Sequence, residues 1–106
     1  MNKSFKLIDQ NDFAFSAHSQ KENKLQMSFG NVSLLLTQNE FAQLKHHVQD
    51  TLKNVKKVCC PYCRDIVVNT TVSNMAFMFS LEELRLMHEI MVNTLMMIEV
   101  KHILNN

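Results

Sequence analysis

The strongest structural signal in this chain is residues 24–40, which read KLQMSFGNVSLLLTQNE. Apolar and polar side chains alternate from Leu25 to Phe29, which is the pattern of a half-buried β-strand. Gly30 and Asn31 both tolerate positive φ and predict a two-residue hairpin turn. A turn of that length places six apolar side chains on one face in three cross-strand pairs: Phe29 with Val32, Met27 with Leu34, and Leu25 with Leu36.

A helix is predicted to begin directly after this hairpin. Residues 37–40 form a capping box, in which the Thr37 hydroxyl and the Glu40 carboxylate each accept a hydrogen bond from the other residue's backbone amide. Lysines further along suit the negative pole of the helix dipole, so the helix is expected to end near Val55. Its apolar residues recur at helical spacing: Phe41, Leu44, Val48 and Leu52.

The same unit occurs a second time in the chain. Glu40 aligns with Glu83 at an offset of 43 residues (83 − 40), and the physical classes of the surrounding residues agree. The second copy predicts a capping box from Ser80 to Glu83 and a helix over about residues 81–104. It also predicts a strand through Ile66, Val68, Thr70 and Val72, a turn at Ser73 and Asn74, and a return strand through Met75, Phe77 and Phe79.

Strand signals also precede the first unit. Lys6 to Ile8 reads as a short strand, and Asp12 to Ser19 alternates, with one side formed by Phe13, Phe15 and Ala17. Together these patterns predict a single α+β domain over residues 1–106, in which an antiparallel sheet of four to six strands carries both helices on one face. The two repeats, about residues 12–57 and 61–104, are expected to be related by a pseudo-twofold axis.

Composition narrows the classes of function. Lys and Arg number 11 against 10 Asp and Glu, so the net charge of +1 supplies no field that would attract nucleic acid or an anionic membrane. No apolar run has the length of a signal peptide or a membrane span. We therefore expect a cytoplasmic protein with reduced cysteines and without a nucleic-acid or membrane partner.

The second predicted helix has more apolar residues than one sheet requires, since a stripe of about 100° is enough. Beyond its main stripe it carries a second apolar set: Leu86, Ile90, Met96, Met97, Val100, Ile103 and Leu104. Either the first helix covers this set, or a second copy of the chain does, as a homodimer; a peptide or lipid groove is a further alternative. The sheet face away from the helices is predicted to show small side chains, either to solvent or to a protein partner.

The one chemical motif is the cysteine cluster at residues 59–63, Cys-Cys-Pro-Tyr-Cys. A C-x-x-C pair supplies two ligands on one turn, whereas a zinc site requires four. The candidate ligands are Cys60, Cys63, Cys59 and His18, the last because the repeat offset places it beside the equivalent of the cysteine turn. No cofactor is expected as the first hypothesis, and zinc is the alternative.

Residues 60–63 also resemble the active-site motif of the glutaredoxin family, letter for letter. In that family the reactive cysteine lies at a helix amino terminus, where the dipole favours the thiolate. Here the following residues read as a strand, and the chain has no second proline to face the dithiol. We interpret the match as coincidental.

The chain as a whole resembles a family of small bacterial proteins, mostly from Bacteroidetes, that share a domain of unknown function. The resemblance spans roughly residues 12–100 and is carried by two segments: Phe29-Gly30-Asn31 before Leu34, and Ser80-Leu81-Glu82-Glu83-Leu84. It implies no activity, substrate or cofactor.

The sequence therefore favours a non-enzymatic interaction or structural module that acts as a homodimer through the second helix. An unknown protein partner is a further hypothesis. The alternative function is zinc binding or thiol redox chemistry at the cysteine cluster.

Overall fold

The computed structural model of the chain describes residues 4–55, 60–70 and 73–104. In these ranges the elements are β1 (Lys6–Gln10), β2 (Ala14–Ser19), β3 (Lys24–Phe29), β4 (Val32–Leu36), α1 (Gln38–Asn54), β5 (Ile66–Asn69), β6 (Ala76–Phe79) and α2 (Leu81–Leu104). The predicted α+β class is confirmed. The strands are divided between two antiparallel sheets, a four-stranded sheet in the order β1-β2-β3-β4 and a two-stranded sheet of β5 and β6.

The first hairpin has the predicted register. Leu25 lies opposite Leu36, Met27 opposite Leu34, and Phe29 opposite Val32. Gly30 supplies a φ of +55°, which residues with a side chain rarely adopt. The six apolar side chains of the hairpin therefore share one face and join the core beneath the helices.

The second hairpin is shorter than predicted. β5 ends at Asn69, and Thr70 donates hydrogen bonds to the Met75 carbonyl from its amide (3.3 Å) and its hydroxyl (2.8 Å). Val72, predicted to lie in the strand, is outside the described residues. Val68 lies opposite Phe77, whereas the first hairpin's register would place it opposite Phe79. Because side chains alternate with a period of two, a displacement by two residues keeps the same side chains on the core face.

Both capping boxes are confirmed. The Glu40 amide donates to the Thr37 hydroxyl (3.1 Å), and the Thr37 amide donates to the Glu40 carboxylate (2.8 Å). At the start of α2 the Glu83 amide donates to the Ser80 hydroxyl (3.0 Å), and the Ser80 amide donates to the Glu83 carboxylate (2.9 Å). Each hairpin therefore passes into its helix at the predicted residue, while the pseudo-twofold axis stays a prediction.

Aromatic packing joins the two sheets. The ring centroid of Phe29 lies 5.3 Å from that of Phe77 and 5.3 Å from that of Phe79. Phe13 lies 6.1 Å from Phe79 in an edge-on arrangement, a geometry that aromatic rings favour. The small sheet thus belongs to the same core as the large one.

The strand β2 turns its polar side towards the helices. Ser16 lies opposite Met27 on the core face, and its hydroxyl is 2.6 Å from the hydroxyl of Thr94 in α2. Phe15 and Ala17 share a side as predicted, but they lie on the outer face of the sheet, which no helix of the described chain covers. Phe13, predicted on the same side, precedes β2 and packs against the core. Alternation defines two sides of a strand, and only the packing of α2 decides which side is the core.

The molecule measures 46 × 26 × 25 Å. Its radius of gyration is 14.3 Å, against about 13 Å for a compact chain of this length. In the part of the chain that the structure describes, neither helix combines the length and apolar character needed to cross a membrane.

Candidate functional site

An exposed apolar surface covers one side of the last turns of α2. We call it the terminal patch, and its members are Met96, Met97, Val100, Ile103 and Leu104. Their exposed fractions run from 43% at Val100 to 78% at Leu104. At 3.6 residues per turn the five positions fall within an arc of about 120°, so they form one continuous surface.

Two residues of the predicted interface set lie elsewhere. Ile90 is 1% exposed and belongs to the intrachain core, so its inclusion in the exposed interface was wrong. Leu86 is half-buried, and its carbonyl accepts a hydrogen bond from the Asn11 side chain at 2.9 Å. Asn93 also binds Asp9 of β1 at 2.9 Å. These bonds hold the middle of α2 against β1 and β2, and the terminal patch begins beyond them.

The same side of α2 is charged near its start. Helical spacing places Glu82, Arg85 and Glu89 in line with the terminal patch. The outward side thus changes from charged to apolar after Asn93. Because α1 leaves the terminal patch exposed, the alternative in which the first helix covers that part of the set is excluded.

Two open clefts of about 520 and 270 Å³ adjoin the end of α2, and both are lined by Gln38, Ile98 and His102. The smaller one also contains His18 and Lys101. Burial, and secondly the positive charge of Lys101, lowers the pKa of His18 below its ordinary value. The His18 imidazole is therefore held mostly neutral at pH 7.

The structure does not bring His18 to the cysteine turn. His18 lies beside Lys101, near the end of α2, whereas the Pro61 carbonyl accepts a hydrogen bond from the Glu82 amide at the start of α2 (3.1 Å). These two helix positions are 19 residues apart (101 − 82), which corresponds to about 28 Å. The predicted assistance of His18 in a metal site with the cysteines was therefore wrong.

The remaining predicted ligands are the cysteines themselves. Cys59 lies outside the described residues. Among residues 4–55, 60–70 and 73–104, no group of three or more His, Cys, Asp or Glu side chains has metal-binding geometry. Cys60 and Cys63 are free cysteines and form a dithiol.

The dithiol occupies a tight turn. The Cys63 amide donates to the Cys60 carbonyl at 3.3 Å, and the Asp65 amide donates to the Cys63 carbonyl at 3.0 Å. The pKa of Cys60 is lowered, chiefly because the Cys63 thiol donates a hydrogen bond to the Cys60 sulfur and secondly because the Tyr62 amide does. The same thiol–thiol bond raises the pKa of Cys63. The two sulfurs thus have unequal acidity.

An ion pair fastens this turn to α2. The Arg64 guanidinium donates to both carboxylate oxygens of Glu83, at 2.7 to 3.0 Å. The Arg64 hydrogen bonds lower the pKa of Glu83, and those to Glu83 raise the pKa of Arg64. Glu83 also completes the capping box with Ser80. Nothing in the sequence around residue 64 signals this pairing, because it depends on how the turn packs against α2.

The outer face of the large sheet carries a polar network. Gln26 donates through its side-chain amide to the hydroxyls of Ser28 and Ser33, each at 3.0 Å, and the two serine hydroxyls are 3.1 Å apart. Leu7 and Leu35 lie exposed on this face. Gln26 and Ser28 are buried, and the network supplies the hydrogen-bond partners that buried polar groups require.

The fold and the sites define a small α+β protein with an apolar helix end and an accessible dithiol turn. The chain belongs to a family of unknown function (DUF6686), whose model matches residues 1–105. The predicted membership of an uncharacterised family is confirmed. No curated protein and no solved structure matches the chain.

Proposed function

We propose that this chain is a non-enzymatic, cytoplasmic interaction module that forms a homodimer through the terminal patch of α2. The observation that carries the proposal is the exposure of five large apolar side chains on one side of one helix end. Large contiguous apolar surfaces on a folded protein mark sites of association, because removing apolar surface from water lowers the free energy.

The area of the patch suits a second copy of the chain. Covering these five side chains would bury roughly 500 Å² on each partner, or about 1,000 Å² in total, which is the lower limit for a specific interface. Side chains at the edge of the patch would add to that area. A twofold dimer uses the same patch on both copies, so a single surface is sufficient.

Charges beside the patch favour one orientation of the two helices. Glu99 and Lys101 are exposed and flank the patch on opposite sides, each about 100° from its centre. When two copies of α2 run parallel about a twofold axis, Glu99 faces Lys101 of the partner subunit. An antiparallel pair would place like charges together. We therefore propose a parallel pair with the carboxyl ends of α2 adjacent, as flanking charges specify in coiled coils.

The carboxyl end of α2 extends beyond the length of the corresponding helix α1. α2 has 24 residues and α1 has 17, a difference of seven (24 − 17). By the repeat offset, α1 corresponds to residues 81–97, so α2 continues for seven residues beyond the part that corresponds to α1. Val100, Ile103 and Leu104 lie in that extension. We propose that the extension of the duplicated helix is what provides the dimer interface.

The test is the mass of the protein in solution, measured by light scattering after gel filtration at concentrations from about 1 to 200 μM. The wild-type chain is expected to be a dimer at the upper end, and Ile103→Glu is expected to be a monomer throughout. Leu35→Glu is the matched control, since Leu35 is an exposed leucine on the outer sheet face. A wild-type monomer at 200 μM, or a dimer lost in L35E and kept in I103E, would refute the proposal.

Orientation has its own test. In a parallel pair Glu99→Lys alone is expected to weaken the dimer at low salt, and adding Lys101→Glu is expected to restore it. If the double variant is no tighter than E99K, the parallel arrangement is wrong even where the dimer itself is confirmed.

A further inference from the structure

We infer that Cys60 and Cys63 form a thiol–disulfide exchange site, which reacts with low-molecular-weight disulfides and closes to an internal disulfide. This inference is independent of the homodimer, because the cysteine turn lies at the start of α2 and the terminal patch lies at its end.

The turn geometry is suited to a disulfide. The hydrogen bond from the Cys63 amide to the Cys60 carbonyl closes a β-turn, which keeps the two Cα atoms within about 7 Å. Disulfides in proteins span Cα separations of about 4.4 to 6.8 Å. The backbone hydrogen bond of 3.3 Å therefore holds the two cysteines within reach of a disulfide.

Tertiary packing brings the amino terminus of α2, whose first turn also carries the carboxylates of Glu82 and Glu83, to the turn. The residues after Cys63 lead into β5, yet the start of α2 reaches the turn through space, where the Glu82 amide donates to the Pro61 carbonyl at 3.1 Å. The amino terminus of a helix carries partial positive charge and stabilises a nearby thiolate. Asp65 acts in the opposite direction, as the weakest of the influences on the pKa of Cys60.

Both sulfurs are open to a small reactant. Cys63 is exposed and Cys60 is half-buried. Tyr62, between them, is also exposed and leaves the turn uncovered. The Arg64 guanidinium beside the turn is occupied by Glu83, so the immediate surroundings carry no free cation that would select a charged disulfide among the described residues.

The reaction proceeds in two balanced exchanges. The Cys60 thiolate attacks one sulfur of a disulfide RSSR, the S–S bond breaks, and RS⁻ leaves and takes up the proton that Cys60 released. Cys63 then loses its proton and attacks the Cys60 sulfur, and the second RS⁻ leaves and is protonated. The protein dithiol is oxidised by two electrons, and RSSR is reduced to two RSH.

The experiment uses the full chain with Cys59→Ser, so that only the described dithiol remains, and oxidised glutathione as the probe. Products are identified by intact mass after alkylation of free thiols. The C59S protein is expected to form an internal disulfide without a lasting glutathione adduct, and C59S/C63S is expected to trap one glutathione on Cys60. Two glutathiones on C59S, or a disulfide between chains, would overturn the inference.

Rates separate the roles of the two sulfurs. At pH 7 the C59S/C60S protein is expected to react on the order of tenfold more slowly than C59S/C63S, because the rate follows the thiolate fraction. Replacing Cys63 by alanine in place of serine removes the hydrogen-bond donor and is expected to move the pH midpoint of the Cys60 reaction upwards. Equal rates for C59S/C60S and C59S/C63S, or equal pH midpoints for the variants with serine and with alanine at position 63, would contradict the assignment of Cys60 as the attacking sulfur.

Discussion

Replacing Thr94 by valine should destabilise the protein more than replacing Ser16 by alanine, although both changes break the same hydrogen bond. The two hydroxyl oxygens lie 2.6 Å apart, and both residues are fully buried. The Thr94 hydroxyl donates to the Ile90 carbonyl, also at 2.6 Å. Since a hydroxyl has one proton, Ser16 must be the donor between β2 and α2.

The direction of that bond sets the magnitudes. Thr94→Val leaves the Ser16 hydroxyl buried without an acceptor, which costs about 1–3 kcal/mol. Ser16→Ala removes one partner of Thr94 while its bond to Ile90 remains, which costs about 0.5–1.5 kcal/mol. In the double variant the unpaired Ser16 hydroxyl is absent, so its free energy of unfolding should be higher than that of T94V and close to that of S16A alone. The coupling between the two sites is then about 1–3 kcal/mol, which equals the loss in T94V.

Urea unfolding followed by circular dichroism measures these free energies for the wild type and the three variants. All four proteins must be compared at one concentration, since association of the folded state would stabilise it. The reasoning is refuted if S16A is the less stable single variant, or if the two losses add in the double variant.

Three further predictions concern stability and one concerns metal binding. Burial, and secondly the positive charge of Lys45, lowers the pKa of His88 below its ordinary value of 6.5. As the pH falls, the unfolded state therefore takes up this proton at a higher pH than the folded state does, and the free energy of unfolding should fall as the pH drops through about 6.5. Urea titrations at pH 7.5 and 5.5 should show a smaller decrease in the free energy of unfolding for His88→Gln than for the wild type. Gly30 has a φ of +55°, and no atom lies within 4 Å of the point that a Cβ would occupy. Gly30→Ala should therefore lower the free energy of unfolding by about 1 kcal/mol through backbone conformation alone, and Gly30→Asn should lower it less. Equal midpoints of thermal unfolding for the two variants would contradict this. Ser80→Ala should lower the free energy of unfolding by about 1 kcal/mol, because it removes the cap of α2, and an unchanged urea midpoint would show that the cap contributes nothing. If the protein retains zinc in native mass spectrometry, His18→Ala should leave the stoichiometry unchanged, and a loss of metal would contradict the separation of about 28 Å along α2.

The candidate sites were only partly predictable from the sequence. The surplus of apolar residues in α2 indicated a second apolar face, which either α1 or a second copy of the chain would cover, and five of the seven named residues are exposed. Ile90 could not be assigned in advance, because a helical pattern gives the angles between side chains but not which arc the neighbouring elements cover. The proximity of the cysteine turn to the start of α2 left no signal either, since Pro61 and Glu82 are joined by packing and not by sequence distance.

The second hairpin shows the same limit for strands. Alternation placed Val68 and Phe77 on the core side correctly. It could not distinguish registers that differ by two residues, because both leave the same side chains inward. The glycine in the first hairpin removed that ambiguity there, since a residue that tolerates a φ of +55° specifies where the chain turns.

The amino-acid sequence alone determined the local structure: the strands, the first turn, both capping boxes and the start of each helix. These features depend on residues within a few positions of one another. Three features were decided only by the tertiary structure: which side of β2 faces α2, the division of the strands into two sheets joined by aromatic packing, and the meeting of the dithiol with the start of α2. These features depend on contacts between residues far apart in the chain, and such contacts form only when whole faces of helices and sheets are buried together.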